Sequence, residues 1–462
     1  MYKKFFNVKD NIKPGRGRIN FVQAKRYNNI KPKREVEDLA TILISVNYAS
    51  EKKGEREIMR KNRILMCFVL IFSMIFTLCS CGEKNAENMQ NTAKKLTVWG
   101  MESEKNMLTE MFNDFKSAVT DFTSDIEHIV TDTDDVVEKA IGDIENSADV
   151  YAVDHSDLEK LIKAGAIAEI TGEYKENIQK NSVENAVNAV TYNGKIYGFP
   201  ASAKTYVLYY DKSKLTDNDV KTLTAILEKG TGNKLGMDFD DEYLCAGLFL
   251  TAGCNLFGEN GEDATACDYN SDNGVKTAEF VKSLKIQGVI NIDEDEAKNQ
   301  FKLGTLCAYI GESTQGEEIK SSLKDNYGVM KLPTVNITGE QKQLQSFAEY
   351  KIYVVNAKSG DIGNAMKLAQ HLTSEQNQLK RYSNSGEIPV NSIAQSNSDI
   401  ASDILSTATI EQLKYSTPKP KISQAQKFED VFDDFMANCF DGNIGDDVKT
   451  KLTETVDKII YK

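Results

Sequence analysis

Between residues 95 and 462, short continuous apolar runs alternate with stretches whose apolar residues recur at helical spacing. The first run, Lys95-Leu96-Thr97-Val98-Trp99-Gly100, is β-branched and aromatic and closes on glycine, which predicts a buried strand. Met107, Met111, Phe112 and Phe115 then share one face of a helix. A strand is expected near 126–130, a helix through 136–144, a strand over 149–153, and a helix over 158–163 that stops at Gly165. Asn193-Gly194 between two apolar runs signals a tight hairpin turn, and 205–210 (TYVLYY) reads as an apolar strand. Further helices are expected over 270–286, 297–301, 364–372, 375–382 and most of 425–460. Strands are expected over 306–311, 327–332 and 347–355. Strand and helix alternating at this pace predict an α/β fold with a parallel sheet. No internal repeat interrupts the pattern.

The N-terminal part has a different pattern. Arg60, Lys61 and Arg63 precede an apolar run of fifteen residues, 64–78, broken only by Ser73 and Thr77. That length suits the apolar region of a signal peptide and is short for a spanning helix, which needs about 20 residues. The run ends in Leu78-Cys79-Ser80-Cys81, which resembles a bacterial lipobox. The resemblance implies that Cys81 carries a diacylglycerol and becomes the mature N-terminus. Each buried CH₂ of such a chain contributes about 0.8 kcal/mol, so two or three acyl chains hold a domain at a membrane surface. Residues 82–94 are polar and aperiodic, as expected of a tether. Residues 1–58 are basic and without amphipathic order, and translation is expected to start at Met59, with 1–58 a gene-start artefact; a cytoplasmic extension is the alternative.

Charge sharpens this division. Residues 1–80 hold 17 Lys and Arg against 7 Asp and Glu, while the chain as a whole carries −13, so residues 81–462 carry −23. A surface that acidic excludes nucleic acid as a partner, since phosphate binding needs a basic face. Three histidines without ligand spacing predict no metal site, no phosphate-cradling G-x-x-x-x-G-K-[ST] loop occurs, and no cofactor is expected. Beyond the signal, Cys245, Cys254, Cys267, Cys307 and Cys439 show no C-x-x-C spacing and are expected to be buried thiols; a bridge between Cys254 and Cys267 is the alternative.

Six blocks in order make the chain resemble the maltose/maltodextrin-binding family of ABC-importer solute-binding proteins. They are KLTVWG (95–100), ADVYAVDHSDLEKLIKAGAIAEI (148–170), YNGKIYGFPASAKTYVLYYDKSKL (192–215), NQFKLGTLCAYIGESTQGEEI (299–319), NYGVMKLPT (326–334), and the sheet–helix alternation from 347 to 387 closing on Gly386-Glu387-Ile388-Pro389-Val390. The resemblance implies a two-lobe periplasmic-binding-protein fold of type II with a hinge of about three crossings. The first lobe would be 95–203 plus 347–393, and the second 206–340 plus 398–462. It also implies oligosaccharide capture by hinge closure, delivery to ABC permease subunits in the membrane, an extracytoplasmic location, action as a monomer and no enzymatic activity.

Sugars offer hydroxyls and weakly apolar ring faces, so their sites need carboxylates, amides and aromatic planes. The family's site positions fall here on Glu102, Ser103 and Glu104, on His155, Ser156 and Asp157, on Lys204, on Asp241 and Tyr243, and on Glu312, Ser313 and Gln315. Tyr243 is expected to be a stacking platform, and Lys204 a ligand contact. The same residues have plainer readings: Glu102 and Glu104 as first-turn helix charges, Ser156 or Asp157 as a helix cap, and Lys204 as a solvated lysine. The chain departs from the family pattern in its aromatic residues. Its single tryptophan, Trp99, sits in the first strand, Val153, Ser313 and 424–429 bring no tryptophan to the cleft, and Lys204 stands where the family has a carboxylate. The ligand is therefore open between a maltodextrin-like oligosaccharide and another solute, such as a polyol, a sugar phosphate or another anion held by Lys204. A ligand sensor for a membrane kinase and a secreted glycoside hydrolase are the competing functions.

Overall fold

The computed structural model describes residues 95–461. Residues 1–80, the tether and Cys81 lie outside the described residues. The chain starts as β1 (Leu96–Gly100), α1 (Lys105–Ala118), β2 (Ile126–Val130), α2 (Thr133–Gly142), β3 (Val150–Asp154) and α3 (Leu158–Ala164). Parallel pairing of β1 with both β2 and β3 makes the expected α/β core. α1 buries Met107, Leu108, Met111, Phe112 and Phe115, the face its spacing predicts. Two helices, α4 (Gly172–Asn181) and α5 (Glu184–Val190), lead to a hairpin of β4 (Thr191–Tyr192) and β5 (Lys195–Ile196). Asn193 and Gly194 both take positive φ, 48° and 74°, as a tight primed turn demands.

β6 (Phe199–Asp211) is longer than its apolar stretch suggests, because it runs out of one lobe and into the other. Then come α6 (Leu223–Lys229), β7 (Leu235–Met237), α7 (Glu242–Ala252), α8 (Asp272–Leu284), β8 (Val289–Asn291), α9 (Glu294–Leu303), β9 (Ala308–Glu312), α10 (Gly316–Leu323) and β10 (Tyr327–Met330). A small hairpin of β11 (Thr334–Asn336) and β12 (Gln341–Gln343) precedes β13 (Ser346–Val355), which carries the chain back. α11 (Ile362–Leu372), α12 (Glu375–Ser385) and β14 (Ile388–Pro389) follow. The chain ends as α13 (Ser398–Ser402), α14 (Ile404–Leu413), β15 (Ser416–Pro418), α15 (Ala425–Asp441) and α16 (Val448–Ile460).

The main sheet runs β2-β1-β3-β13-β6-β9-β7-β8, with β10 and β14 on β6 and β15 on β13. β6 changes partner at one step: Lys204 and Thr205 face Glu349 and Ala348 of β13, whereas Tyr206 faces Glu312 of β9. Two large hydrophobic cores flank that step. One gathers Val98, Phe115, Tyr151, Val354 and Leu368; the other gathers Leu208, Phe249, Phe428, Phe432 and Ile459. The crossing itself is tied by directional bonds. The Thr205 hydroxyl donates to Phe347 O at 2.8 Å and lies 2.8 Å from Ser346 Oγ and 3.1 Å from Ser416 Oγ, joining β6, β13 and β15. Gln412 extends the joint, donating to Ser346 Oγ at 3.0 Å and to Leu344 O at 3.1 Å. Buried hydroxyls so paired hold their strands in place without fusing the two cores. The five cysteines of the described region are free thiols, and Cys254 Sγ sits 3.6 Å from Ser271 Oγ, so the Cys254–Cys267 bridge is absent.

Candidate functional site

Charged side chains converge where β6, β13 and the segment after β15 run side by side. Lys204 stands opposite Glu349 in the ladder, with Nζ 3.0 Å from Glu349 Oε1 and 3.4 Å from Glu312 Oε2 at the end of β9. Lys419 reaches the other Glu349 oxygen at 3.0 Å. Burial alone would lower the Lys204 ammonium, but Glu349 and Glu312 outweigh it and hold it above its ordinary value. Burial would likewise raise Glu349, yet Lys419 and Lys204 hold its carboxyl down at about 2. Asp154, exposed on the cleft wall, is pushed up to about 6, first by the protein packed around it and then by Glu349.

A cleft of about 580 Å³ opens over this group, lined by Asp154, Ser202, Lys204, Ser313, Glu349 and Glu387 among others. On its first-lobe side a second ionic chain runs inward. Ser202 Oγ donates to Glu387 at 2.7 Å, Lys351 lies 2.9 Å from Glu387 and 3.5 Å from Glu104, and Arg381 donates to Glu104 at 2.9 Å and to the Tyr353 hydroxyl at 2.7 Å. Tyr382 is the one aromatic residue lining the cleft among the described residues. A separate cavity of about 500 Å³, bordered by Phe115, Asn177 and Gln378, takes no residue from the second lobe. Its Gln378 amide is spent on Pro200 O, Thr373 O and the Val390 and Asn391 N–H groups.

The sequence-predicted residues divide between this cleft and structural duties. Lys204 and Ser313 line it, and Glu312 touches Lys204 from its edge. The Ser313 hydroxyl also accepts from Thr205 N–H at 3.3 Å. His155 does not face the cleft. Its ring is fully buried, Nδ1 accepts from Tyr350 N–H at 3.2 Å and Nε2 sits 3.0 Å from Lys419 O, so no edge is left for a ligand. Burial drives its pKa down to about 3, which keeps it a neutral brace between β3, β13 and the last crossing. Tyr243 is no open platform either. It is 3% exposed, its hydroxyl donates to Glu429 at 2.9 Å, and the Lys419 ammonium lies 4.4 Å from its ring centroid. Asp241 caps α7 through Leu244 N–H at 2.9 Å and accepts from the Tyr206 hydroxyl. Gln315 packs against Gly311, where a Cβ would come within 2.2 Å of its amide oxygen. Glu102 and Ser103 are exposed on the first-strand loop, Glu102 pairing with Lys105 at 3.4 Å, and Asp157, whose carboxyl burial raises, starts α3; none of the three lines the cleft.

Glu349, Lys351, Asp154 and Glu387 line the cleft, with Lys419 paired to Glu349 beside it, without having been singled out in the sequence. For Glu349 and Lys351 a signal exists: they alternate with Ala348, Tyr350 and Ile352 in an otherwise apolar strand, which marks one charged face. Among the described residues there is no grouping of His, Cys, Asp and Glu able to hold a metal ion, and no helix is long and apolar enough to cross a membrane.

Comparison with known proteins agrees with this architecture. Residues 110–408 match the family described as bacterial extracellular solute-binding protein. A "maltooligosaccharide ABC transporter solute-binding lipoprotein" of Streptococcus pneumoniae is 25% identical over 86% of this chain and 96% of its own. A "galactooligosaccharide-binding protein" of Bacillus subtilis is also 25% identical, over 77% of this chain and 87% of its own. Among solved structures, an unliganded maltodextrin-binding protein from L. casei superposes with a TM-score of 0.76 at 28% identity, covering 80% of this chain and all of its own. With a matched segment spanning more than half of its length and a two-lobe α/β fold around one cleft, the chain belongs to the bacterial extracellular solute-binding proteins.

Proposed function

We propose that the chain captures a neutral oligosaccharide in the cleft beside Lys204 and Glu349 and hands it to an ABC importer. The supporting observation is the state of Lys204, whose ammonium already faces two carboxylates. Binding an anion there means breaking those contacts, whereas hydroxyls can be met by the surrounding carboxylates, serines and lysines. The two relatives, alike in identity, are named for maltooligosaccharide and galactooligosaccharide respectively, which favours an oligosaccharide without choosing its sugar. Residues 95–203 with 347–393, and 206–340 with 398–462, would move as the two lobes, closing because contacts to both exist only in the closed form. The protein would act as a monomer beside its permease subunits, outside the cytoplasm and held by a lipid on Cys81.

Thermal unfolding of residues 95–462 against maltotriose, a galactooligosaccharide, maltose phosphate and an oligopeptide tests the ligand class, since a ligand of the native state raises the melting temperature. The reading expects a rise with a neutral oligosaccharide; a rise only with the phosphate or the peptide contradicts it. For the anchor, Cys81→Ala should release the protein from membranes, and full retention would refute lipidation at that residue.

A further inference from the structure

Lys419 has an unusual set of contacts for a lysine beside a binding cleft. Its backbone is clamped, with N–H donating to Ala348 O at 2.9 Å and the carbonyl accepting from the His155 ring at 3.0 Å. Its ammonium is fixed on Glu349 at 3.0 Å and hangs over the Tyr243 ring, 4.4 Å from the centroid. Two aromatic neighbours of that ring are Phe347 and Phe428, each with its centroid 5.4 Å away. Tyr243 as a whole is 3% exposed, whereas the Lys419 side chain retains 17% of its surface. The Lys419 side chain thus keeps some surface, while the ring under its ammonium keeps almost none.

A ring face is what a sugar's C–H surface would pack on, and a cation held there by quadrupole attraction competes for the same area. We infer that Lys419 is a specificity-determining residue beside the cleft: by covering Tyr243 it denies ligands that ring as a platform and leaves Tyr382 as the aromatic residue of the lining. This rests on the oligosaccharide reading above. Glu349 keeps the cover shut, and because Glu349 also holds Lys204, the covered ring and the crossing strands share one carboxylate.

The test is isothermal titration calorimetry of maltotriose with wild type, Lys419→Ala, Lys419→Met and the double variant Lys419→Ala/Tyr243→Leu, each first shown to unfold cooperatively. Uncovering the ring should tighten maltotriose binding by about 3- to 10-fold in Lys419→Ala, the gain expected of one aromatic face. Lys419→Met keeps an aliphatic stem over the ring and should gain less. Tyr243→Leu should erase the gain in the double variant. Weaker binding by Lys419→Ala, an equal gain by Lys419→Met, or a gain that survives Tyr243→Leu would each overturn the inference. Should wild type bind no oligosaccharide, the functional reading falls instead. Lys419 is then judged on the variant alone: maltotriose binding acquired by Lys419→Ala supports the cover, and continued absence overturns it.

Discussion

The two ionic groups beneath the cleft both pair basic side chains with glutamates but join different bodies. The Arg381 group links α12, β13 and the loop after β1, all packed on the first-lobe core, and Arg381 itself has no exposed surface. The Lys204 group links β6, β13, the segment after β15 and, through Glu312, the strand β9 beyond the crossing. In the first group the short contacts run at 2.7–2.9 Å, and the partners sit on elements packed against one core. In the second, the contacts among the crossing strands are 3.0 Å and the one reaching β9 is 3.4 Å. One group is thus suited to hold a wall of the cleft still. The other has its longest contact at the step where β6 changes partner from β13 to β9.

The comparison fails most visibly if Arg381 proves dispensable. Removing one partner of a buried pair strands the other charge, which costs about 3–5 kcal/mol. Arg381→Met should therefore lower the unfolding free energy by that amount, because Glu104 loses its main cation while only Lys351, at 3.5 Å, remains. Urea unfolding with and without the substitution measures it. A loss under 1 kcal/mol would mean that Lys351 or water compensates and that the wall is not held by this pair.

Acid unfolding sharpens the contrast from the other side. Glu349 is depressed from 4.5 to about 2, so its contribution is complete above the ordinary value and disappears as pH falls through about 2. Stability should fall between pH 4.5 and 2 in the wild type, and Glu349→Gln should be less stable at neutral pH and flatter across that window. Asp154 runs opposite: a carboxyl raised from 3.8 to about 6 is unfavourable when charged, so its protonation adds stability as pH falls from about 6 to 3.8, ahead of most of the Glu349 loss. Denaturant midpoints measured from pH 7 to 2 in wild type, Glu349→Gln and Asp154→Asn separate the two. An unaltered slope in Glu349→Gln would remove that carboxylate from the hinge's energetics.

Legibility in the sequence follows the same divide. Elements with one wet face announced themselves, as α1 did through its Met and Phe spacing and the β4–β5 turn through Asn193-Gly194. α7 did not, because Glu242–Ala252 is buried on nearly every side and an all-apolar helix has no period to read. β6 was found only in its apolar half, since its first half carries Ser202 and Lys204 toward the cleft. Of the residues the resemblance names, Lys204 and Ser313 line this cleft and Glu312 contacts Lys204. His155 was misassigned because a loop residue's direction depends on what packs under it, here Tyr350 and Lys419 from distant segments. Lys419 itself sits between Pro418 and Pro420, and nothing local reveals that the ladder with β13 aims it at Glu349 and Tyr243.

The smallest expected effect concerns Lys204. The side chain is one-third exposed, so solvent screens its two contacts, and pairs of that kind contribute about 0.2–1 kcal/mol each. Lys204→Gln should therefore change maltotriose affinity by less than about tenfold, and raising the salt concentration should shrink the difference further. The direction is informative. If the 3.4 Å contact to Glu312 holds the lobes in the arrangement seen here, losing it makes that contact cheaper to give up on closure, and affinity for a neutral sugar rises slightly. If Lys204 instead serves the ligand directly, the same substitution weakens binding, and it weakens an anionic ligand such as maltose phosphate far more than maltotriose because a charge-assisted contact is lost. Calorimetry of both ligands at low and high salt distinguishes these outcomes. A large, salt-sensitive loss confined to the phosphate would move Lys204 from the hinge to the ligand.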